Sequence, residues 1–228
     1  PAIRRWLGVR YTTMEGDELI RRLLLADFEL LWNGGIGTYV KSSQEKNADV
    51  GDRANDNVRV SASQVKAKVI GEGGNLGLTQ PGRIEYAMCG GMINTDAIDN
   101  SAGVDTSDHE VNLKIFFQTL REAGVIKTER TRNHRLQEVA EDVCHMVLAN
   151  NYTQSQCLSL DLRRCQYDID PFIALSERLV NTGLLDRRGE SLPSIKELTA
   201  RGCGYLRPEL SILLAYSKMH LYQTLLES

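Results

Sequence analysis

Short apolar runs that end in glycine and asparagine most constrain the fold of this 228-residue chain. One run, residues 67–70, ends in Gly71-Glu72-Gly73-Gly74-Asn75, and another, residues 92–98, ends in Asp99-Asn100-Ser101-Ala102-Gly103. Each run has the length and composition of a buried strand that leads into a loop. Between them, residues 81–89 have helical spacing, and Gly90 stands where a helix would stop. This order predicts a strand-helix-strand crossover whose two loops leave the same edge of a parallel sheet.

A third transition of the same kind occurs earlier, where the run at residues 28–32 enters Asn33-Gly34-Gly35. Glycine lets backbone N–H groups approach a ligand, and asparagine offers both a donor and an acceptor. We therefore expect Asn33, Asn75 and Asn100 to converge on one crevice at the carboxyl ends of the strands, where open α/β sheets bind ligands. The alternative for any single loop is turn chemistry alone, which selects the same residue types.

The rest of the pattern is helical or irregular. Residues 15–25 predict a covering helix, and residues 41–59 predict a surface loop or short turns. Ser107 and Glu110 fit a capping box that opens a helix running to Gly124. Further helices are predicted around residues 136–147, from Asp170-Pro171 to Gly183, after a second capping box at residues 194–197, and from Pro208 onward. The α/β part is expected to give way to the helical part near residues 124–132.

Composition and charge exclude several classes of protein. The chain is 42% hydrophobic and 25% charged, which is typical of a soluble globular protein, and its net charge of −3 gives no footprint for nucleic acid. No secretory signal is visible, and the apolar C-terminal run is too interrupted to span a bilayer. Five cysteines without a CxxC pair favour reduced thiols and a cytoplasmic location. A chain that begins with proline is expected to be a piece of a longer polypeptide.

Familiar site motifs are absent. Gly71-Glu72-Gly73 lacks the third glycine of a dinucleotide fingerprint, and no P-loop lysine follows any loop. The histidines are far apart and have no cysteine or carboxylate at ligand spacing, so no metal site is predicted. Ser107 has two readings. It is explained as an N-cap, and the helix N-terminus it would cap also favours an anion such as a substrate carboxylate.

Long strings of this sequence closely resemble the large NAD-specific glutamate dehydrogenases of bacteria. They are LLWNGGIGTYVK at residues 30–41, VIGEGGNLGLTQPGRIEYA at residues 69–87, INTDAIDNSAGVDTSDHEVNLKI at residues 93–115 and RPELSILLAYSK at residues 207–218. The resemblance implies a partial Rossmann-like parallel sheet, the C-terminal part of an NAD-binding domain over residues 1–125, followed by an all-helical domain over residues 126–228. It also implies oxidative deamination of L-glutamate to 2-oxoglutarate and ammonia, with NAD as the hydride acceptor.

The resemblance also implies roles for particular residues. EGGN is similar to the EGAN of smaller glutamate dehydrogenases, which places Gly73 and Asn75 at the cofactor, with Asn75 beside the nicotinamide ribose. NSAGV is similar to their NAGGV and places Asn100 near the nicotinamide and the substrate, although Ala102 replaces a glycine. Ser107 then falls where those enzymes bind the side-chain carboxylate of the substrate. Asn33 and Gly34 would flank the ribose-phosphate side of the cofactor.

The same likeness shows what to expect outside this chain. The catalytic lysine and aspartate of the family, and its glycine fingerprint, belong to upstream sequence, so no catalytic residue is predicted here and the 228 residues alone are expected to be inactive. Expected partners are the upstream part of the polypeptide and further copies in a homo-oligomer. The alternative function is a helical interaction or scaffold module from residue 132 onward, because its apolar stripes would also suit a partner surface.

Overall fold

The computed structural model of the chain describes residues 2–10 and 12–228. It is mixed α/β and mostly helical, with a small parallel sheet. The strands are β1 (Leu30–Asn33), β2 (Val40–Lys41), β3 (Val60–Ser61), β4 (Val69–Glu72) and β5 (Met92–Ile93). The helices are α1 (Ala2–Trp6), α2 (Gly16–Leu24), α3 (Asn47–Val50), α4 (Gln80–Met88), α5 (Asp96–Asp99), α6 (Ser101–Glu122), α7 (Glu129–Tyr167), α8 (Asp170–Asn181), α9 (Ile195–Arg201) and α10 (Arg207–Leu226).

The predicted parallel sheet is confirmed. Its strand order is β1-β4-β5, and both neighbouring pairs are parallel. The chain passes from β4 through α4 to β5, which is the predicted crossover unit. Strands β2 and β3 form a separate parallel pair. Since β1 and β4 run in the same direction side by side, the loops that follow them leave the sheet at one edge.

Helix α4 joins the sheet to a buried core. It begins where the Thr79 hydroxyl accepts a hydrogen bond from Gly82 N at 3.0 Å, with Pro81 in its first turn. Its Tyr86 is 1% exposed and donates its hydroxyl to Ala67 O at 2.6 Å. Each large apolar side chain buried in this way contributes roughly 1.5–3 kcal/mol. The other buried members of the core are Val40, Val60, Ala62, Ala67, Ile70, Leu78 and Ile93.

The segment between β2 and β3 is built from short turns, as predicted, but it closes around a buried arginine. Arg59 is 3% exposed, and its Nε donates to Thr38 O at 2.8 Å. Its guanidinium also bonds Asp56 and the Asp52 carbonyl. The Asp52 carboxylate in turn accepts from Thr38 N at 2.8 Å. The turn segment therefore fixes the chain where it leaves the loop after β1.

The predicted strand over residues 92–98 is wrong in most of its length. Only Met92 and Ile93 are extended, and Asp96–Asp99 forms the helical turn α5. The physical reason is tertiary, because polar side chains of this segment bond groups distant in the sequence and draw the backbone away from the sheet. Asn94 accepts a hydrogen bond from Arg207, and Asp96 accepts one from Leu76 N at 2.8 Å.

The C-terminal helices start and stop where the sequence predicts. Pro171 lies in the first turn of α8, and Gly183 follows that helix at φ +72°. Ser194 and Glu197 form the predicted capping box of α9. A feature not predicted is the pair of hydrogen bonds from the Arg201 guanidinium to the buried Glu209 carboxylate, at 2.6 and 2.7 Å.

The chain divides into two compact units. The first unit comprises residues 1–96 and 157–228, and the second comprises residues 97–156. The second unit contains α6 and most of α7, and buries Phe117, Val143 and Val147. This division by compactness does not test the predicted boundary between residues 125 and 126, which stays a prediction. Within the described ranges, no helix has both the length and the apolar character to cross a membrane.

Candidate functional site

Two of the predicted binding loops meet at the carboxyl edge of the sheet. Strands β1 and β4 pair in a register that sets Asn33 opposite Glu72, so the two chains leave the sheet together. Gly74 N then donates to Asn33 O at 3.0 Å. The Asn33 amide lies against Gly77. The first unit therefore brings Asn33, Gly34, Gly73 and Asn75, four of the predicted cofactor-binding residues, into two adjoining loops.

Glycine is required where these loops touch. A Cβ on Gly74 would collide with the carbonyl oxygen of Gly35, so the two backbones pack without side chains between them. Gly34, Gly35 and Asn75 remain exposed, and Asn33 is half-buried. The edge thus offers exposed backbone and two amide side chains, which suits a small polar ligand.

The Trp32 indole covers Gly71 in β4 and Gly73 just after it, a contact that the sequence pattern does not predict. A Cβ on Gly71 would lie 2.6 Å from the Trp32 ring, and one on Gly73 would also collide with it. Trp32 is 58% exposed. A ligand that approaches Gly73 therefore meets an aromatic ring as well as bare backbone. The signal in the sequence was an aromatic residue in one strand and spaced glycines in its neighbour, and it becomes readable only with the strand register.

A buried ion pair lies beneath the same edge and was also missed. Arg83 in α4 donates from Nε to Glu72 Oε2 at 2.6 Å and from Nη2 to Glu72 Oε1 at 2.9 Å. Glu72 is fully buried and Arg83 is 4% exposed. Burial raises the pKa of Glu72, while the Arg83 guanidinium opposes that rise. A glutamate that directly follows a buried strand, with an arginine in the next helix, was the available signal.

The network of hydrogen bonds continues into the loop that carries Asn75. Glu72 Oε1 also accepts from Leu78 N at 3.1 Å, and Arg83 Nη2 lies 3.1 Å from Asp96 Oδ1. The other Asp96 oxygen accepts from Leu76 N at 2.8 Å. The loop that carries Asn75 is therefore bonded to two carboxylates, and one arginine joins them.

The predicted capping box at Ser107 is wrong. Helix α6 begins at Ser101, with Asn100 as its N-cap residue, and Ser107 lies inside the helix on its exposed surface. The start of α6 is fixed by Asn151 of α7, whose amide donates to Ile98 O at 2.8 Å and to Ser101 Oγ at 2.9 Å. Ser107 is therefore not at a helix N-terminus, and the argument that such a terminus would attract an anion there does not hold.

Asn100 and Ser107 nevertheless share one face of α6. They are seven residues apart, which corresponds to two turns and about 10 Å along the helix. Gly103 leaves room beside the Asn100 amide, since a Cβ there would stand 2.9 Å from Asn100 Oδ1. Gly103, Val104 and Ser107 are all exposed. This face, here called the Asn100 face, presents two polar side chains with small or apolar groups between them.

The predicted residues thus lie in both units. Asn33, Gly34, Gly73 and Asn75 belong to the first unit, and Asn100 and Ser107 belong to the second. The prediction that all three asparagines line one crevice stays a prediction.

The fold places the chain among α/β proteins with glycine-rich loops at the carboxyl edge of a parallel sheet. Comparison with known sequences is more specific. Residues 1–161 match the family described as bacterial NAD-glutamate dehydrogenase, catalytic domain. The chain belongs to this family.

Curated relatives agree with this assignment. The NAD-specific glutamate dehydrogenase of Pseudomonas aeruginosa is 49% identical over 231 residues, which cover 100% of this chain and 14% of the relative. That of Halomonas elongata is 44% identical over the same shares of both chains. That of Mycobacterium tuberculosis is 47% identical over 93% of this chain and 13% of the relative. The chain therefore spans about one seventh of the length of these relatives.

Proposed function

We propose that this chain supplies part of the cofactor and substrate site of an NAD-dependent glutamate dehydrogenase. The reaction is the reversible oxidative deamination of L-glutamate to 2-oxoglutarate and ammonia. Family membership and the names of the relatives support the reaction class. The observation that carries the proposal for this chain is the register of β1 and β4, which sets the Asn33 loop beside the Gly73–Asn75 loop at one sheet edge.

In this proposal the sheet is the C-terminal part of a Rossmann-like NAD-binding domain. The parallel order β1-β4-β5 and the β4-α4-β5 crossover are compatible with such a domain. Open parallel sheets bind nucleotides outside the carboxyl ends of their strands. The predicted cofactor residues of the first unit lie at that end of β1 and β4, and not at the opposite end.

The groups at this edge fit a nicotinamide dinucleotide. Exposed Gly34 and Asn75 leave backbone open, and the amides of Asn33 and Asn75 match ribose hydroxyls in donor and acceptor character. The half-exposed Trp32 ring adds a flat apolar surface beside Gly73. NAD, when bound, supplies the hydride acceptor. The work of these residues is to orient the cofactor and to limit its movement.

The substrate is assigned to the Asn100 face. The Ser107 hydroxyl donates to the side-chain carboxylate of glutamate, and the Asn100 amide stands near the nicotinamide and the substrate. The exposure of Ser107 supports this role, since its hydroxyl is open to a ligand although it caps no helix. The two side chains lie about two helical turns apart on one face of α6.

The chemical step is assigned to sequence outside this chain. The catalytic lysine and aspartate of the similar enzymes have no matching motif here, so the proposal includes that the 228 residues alone produce no NADH from glutamate. It also includes assembly with the upstream polypeptide, a homo-oligomer and a cytoplasmic location. Glutamate-dependent NADH formation by the isolated chain would contradict this part.

A second candidate function is an interaction surface on the helices. Val111, Ile115 and Phe116 of α6 are 52%, 60% and 56% exposed, which is unusual for apolar residues on one helix. Such a surface suits packing against other parts of a long polypeptide. Its residues are different from those assigned to ligands, and Val111 lies one helical turn after Ser107, so a partner on this surface would lie next to the Asn100 face.

The proposal is tested with the full-length enzyme carrying Asn100→Ala or Ser107→Ala. Loss of one polar partner of a bound ligand costs about 1–3 kcal/mol, so kcat/KM for glutamate is expected to fall roughly 5- to 150-fold. Thr106→Ala is the matched control, because it removes an exposed hydroxyl from the adjacent position of α6 but from a different face. If both variants behaved like this control, the substrate assignment would be wrong.

A further inference from the structure

The loop that carries Asn75 is held by charges that lie below it. Its backbone donates from Leu76 to Asp96 at 2.8 Å and from Leu78 to Glu72 at 3.1 Å. Both acceptors are carboxylates, and hydrogen bonds to charged acceptors are stronger than those between neutral groups. The loop is also held by backbone bonds from Gly74 N to Asn33 O and from Tyr39 N to Gly77 O. Of the two carboxylate bonds, the one at Leu76 directly follows Asn75 in the chain.

Leu76 shows that the loop conformation is imposed and not intrinsic. Its φ is +58°, in the left-handed region that non-glycine residues rarely adopt. Leu76 is 62% exposed, so apolar packing does not hold it there. The bond from Leu76 N to Asp96 is the contact that accompanies this conformation. Without it, the backbone beside Asn75 is expected to relax.

Arg83 joins the two carboxylates that hold the loop, Glu72 and Asp96. Its guanidinium makes two hydrogen bonds to Glu72 and reaches Asp96 at 3.1 Å. It also donates from Nη1 to Gln80 Oε1 at 3.3 Å. The arginine thus sets the distance between the carboxylate at the end of β4 and the carboxylate at the start of α5. Removing one partner of a buried ion pair leaves an uncompensated charge, so this arrangement requires all of its charged side chains.

We propose that Glu72, Arg83 and Asp96 are positioning residues that hold the Asn75 loop in its cofactor-binding conformation. None of them is assigned a contact with substrate. The inference rests on the proposed function, since it assumes that Asn75 contacts the cofactor. It deepens that function by naming the hydrogen bonds and ion pairs that determine how tightly this edge binds the nicotinamide ribose.

The experiment uses the full-length enzyme carrying Asp96→Ala. Asn75 contacts the ribose in the ground state and in the transition state alike, so a misplaced loop is expected to raise KM for NAD and leave kcat nearly unchanged. The loss of one oriented hydrogen bond predicts a rise of about 5- to 30-fold in that KM. KM for glutamate should stay within about twofold. A general loss of structure would instead lower the apparent kcat, because fewer molecules would be active, without a selective rise in KM for NAD.

Two further variants separate the possible outcomes. Asp96→Asn keeps the shape and an acceptor for Leu76 N but removes the charge, so KM for NAD should lie between that of the wild type and that of Asp96→Ala. Glu177→Ala is the control, because it breaks an ion pair with Arg187 elsewhere in the first unit. If Asp96→Ala fails to fold, Asp96→Asn decides alone, and an unchanged KM for NAD overturns the proposal.

Asn75→Ala distinguishes this inference from the proposed function beneath it. If Asn75→Ala raises KM for NAD and the Asp96 variants do not, the positioning role is wrong and the cofactor assignment stands. If Asn75→Ala leaves KM for NAD unchanged, the cofactor assignment itself is wrong. The positioning role is supported when Asn75→Ala and Asp96→Ala raise KM for NAD by similar factors and Glu177→Ala does not.

Discussion

In the first unit, Asn75 stands in a loop that is bonded to buried charged groups, whereas in the second unit Asn100 and Ser107 stand on an exposed helix. Glu72 below the loop is fully buried, while Gly103, Val104 and Ser107 on the Asn100 face are exposed. A loop lacks the repeating backbone hydrogen bonds of a helix, so hydrogen bonds to buried charged groups are needed to hold its conformation. A helix of 22 residues supplies the spacing of its side chains by itself.

This difference indicates two ways of preparing a binding residue. In the first unit, the binding loop is held in position by tertiary contacts, chiefly a few that involve charged side chains. In the second, the position of the binding residues follows from the helix and depends chiefly on where that helix begins. Changes to single polar residues should therefore affect the two regions unequally.

The largest effect is expected for Arg83→Met in the full-length protein. The substitution leaves the Glu72 carboxyl buried without its partner, which costs roughly 3–5 kcal/mol for a broken buried ion pair. Hydrogen exchange of peptides covering β4 and residues 73–78 should become much faster. Arg135→Ala, which breaks an exposed pair with Glu138, is the control and should change little. Unchanged exchange in the Arg83 variant would show that the ion pair does not hold this loop.

An intermediate effect is expected for Asn151→Ala. Its half-buried amide donates to Ile98 O and Ser101 Oγ, and the loss of these bonds should cost about 1–2 kcal/mol. The first turn of α6 should then fray, which faster hydrogen exchange over residues 101–105 would report. The neighbouring Asn150→Ala removes one exposed bond to Asp105 and serves as the control. Equal exchange in both variants would mean that Asn151 does not set the start of α6.

The smallest effect is expected at Asp52, whose carboxylate accepts a hydrogen bond from Thr38 N at the end of the loop after β1. Hydrogen bonds from Thr38 N and Asn55 hold the pKa of this carboxyl below its ordinary value of 3.8. A group with a lowered pKa stabilises the fold above its unfolded value, and that contribution is lost as the pH falls through its folded value. The carboxyl is partly exposed, so the contribution should be under about 1 kcal/mol.

The measurement compares thermal unfolding of the wild type and Asp52→Asn from about pH 7 to about pH 3. Their midpoints should differ at the higher pH and converge below the ordinary pKa of the carboxyl. A difference that stays constant across this range would indicate that the charge of Asp52 plays no part. It would also weaken the comparison between the first unit, held by charges, and the second, held by helix geometry.

Much of the fold could be predicted because it depends on local pattern. The strand-helix-strand unit around α4, the stop at Gly183 and the capping box at Ser194 are all written in residues close together in the chain. The start of α6 was mispredicted because Asn151, 50 residues away from Ser101, determines it. Local capping chemistry favoured Ser107, and a tertiary contact overrode it.

The candidate site could be predicted only in part, for a similar reason. Asparagine and glycine after apolar runs marked the loops, but nothing local marked their supports. Glu72 and Arg83 are 11 residues apart, and their pairing depends on how α4 packs on the sheet. The cover that Trp32 forms over Gly71 depends on the register of two strands.

The position of Trp32 also gives this sheet edge an optical property. A molecule that approaches Gly73 from the side of the ring would displace the indole or stack on it, and the emission of an indole changes in either event. The 228 residues contain two tryptophans, and the other, Trp6, packs edge-on against Phe28. Fluorescence quenching at Trp32 can therefore report arrival of a ligand at this edge before any chemistry takes place.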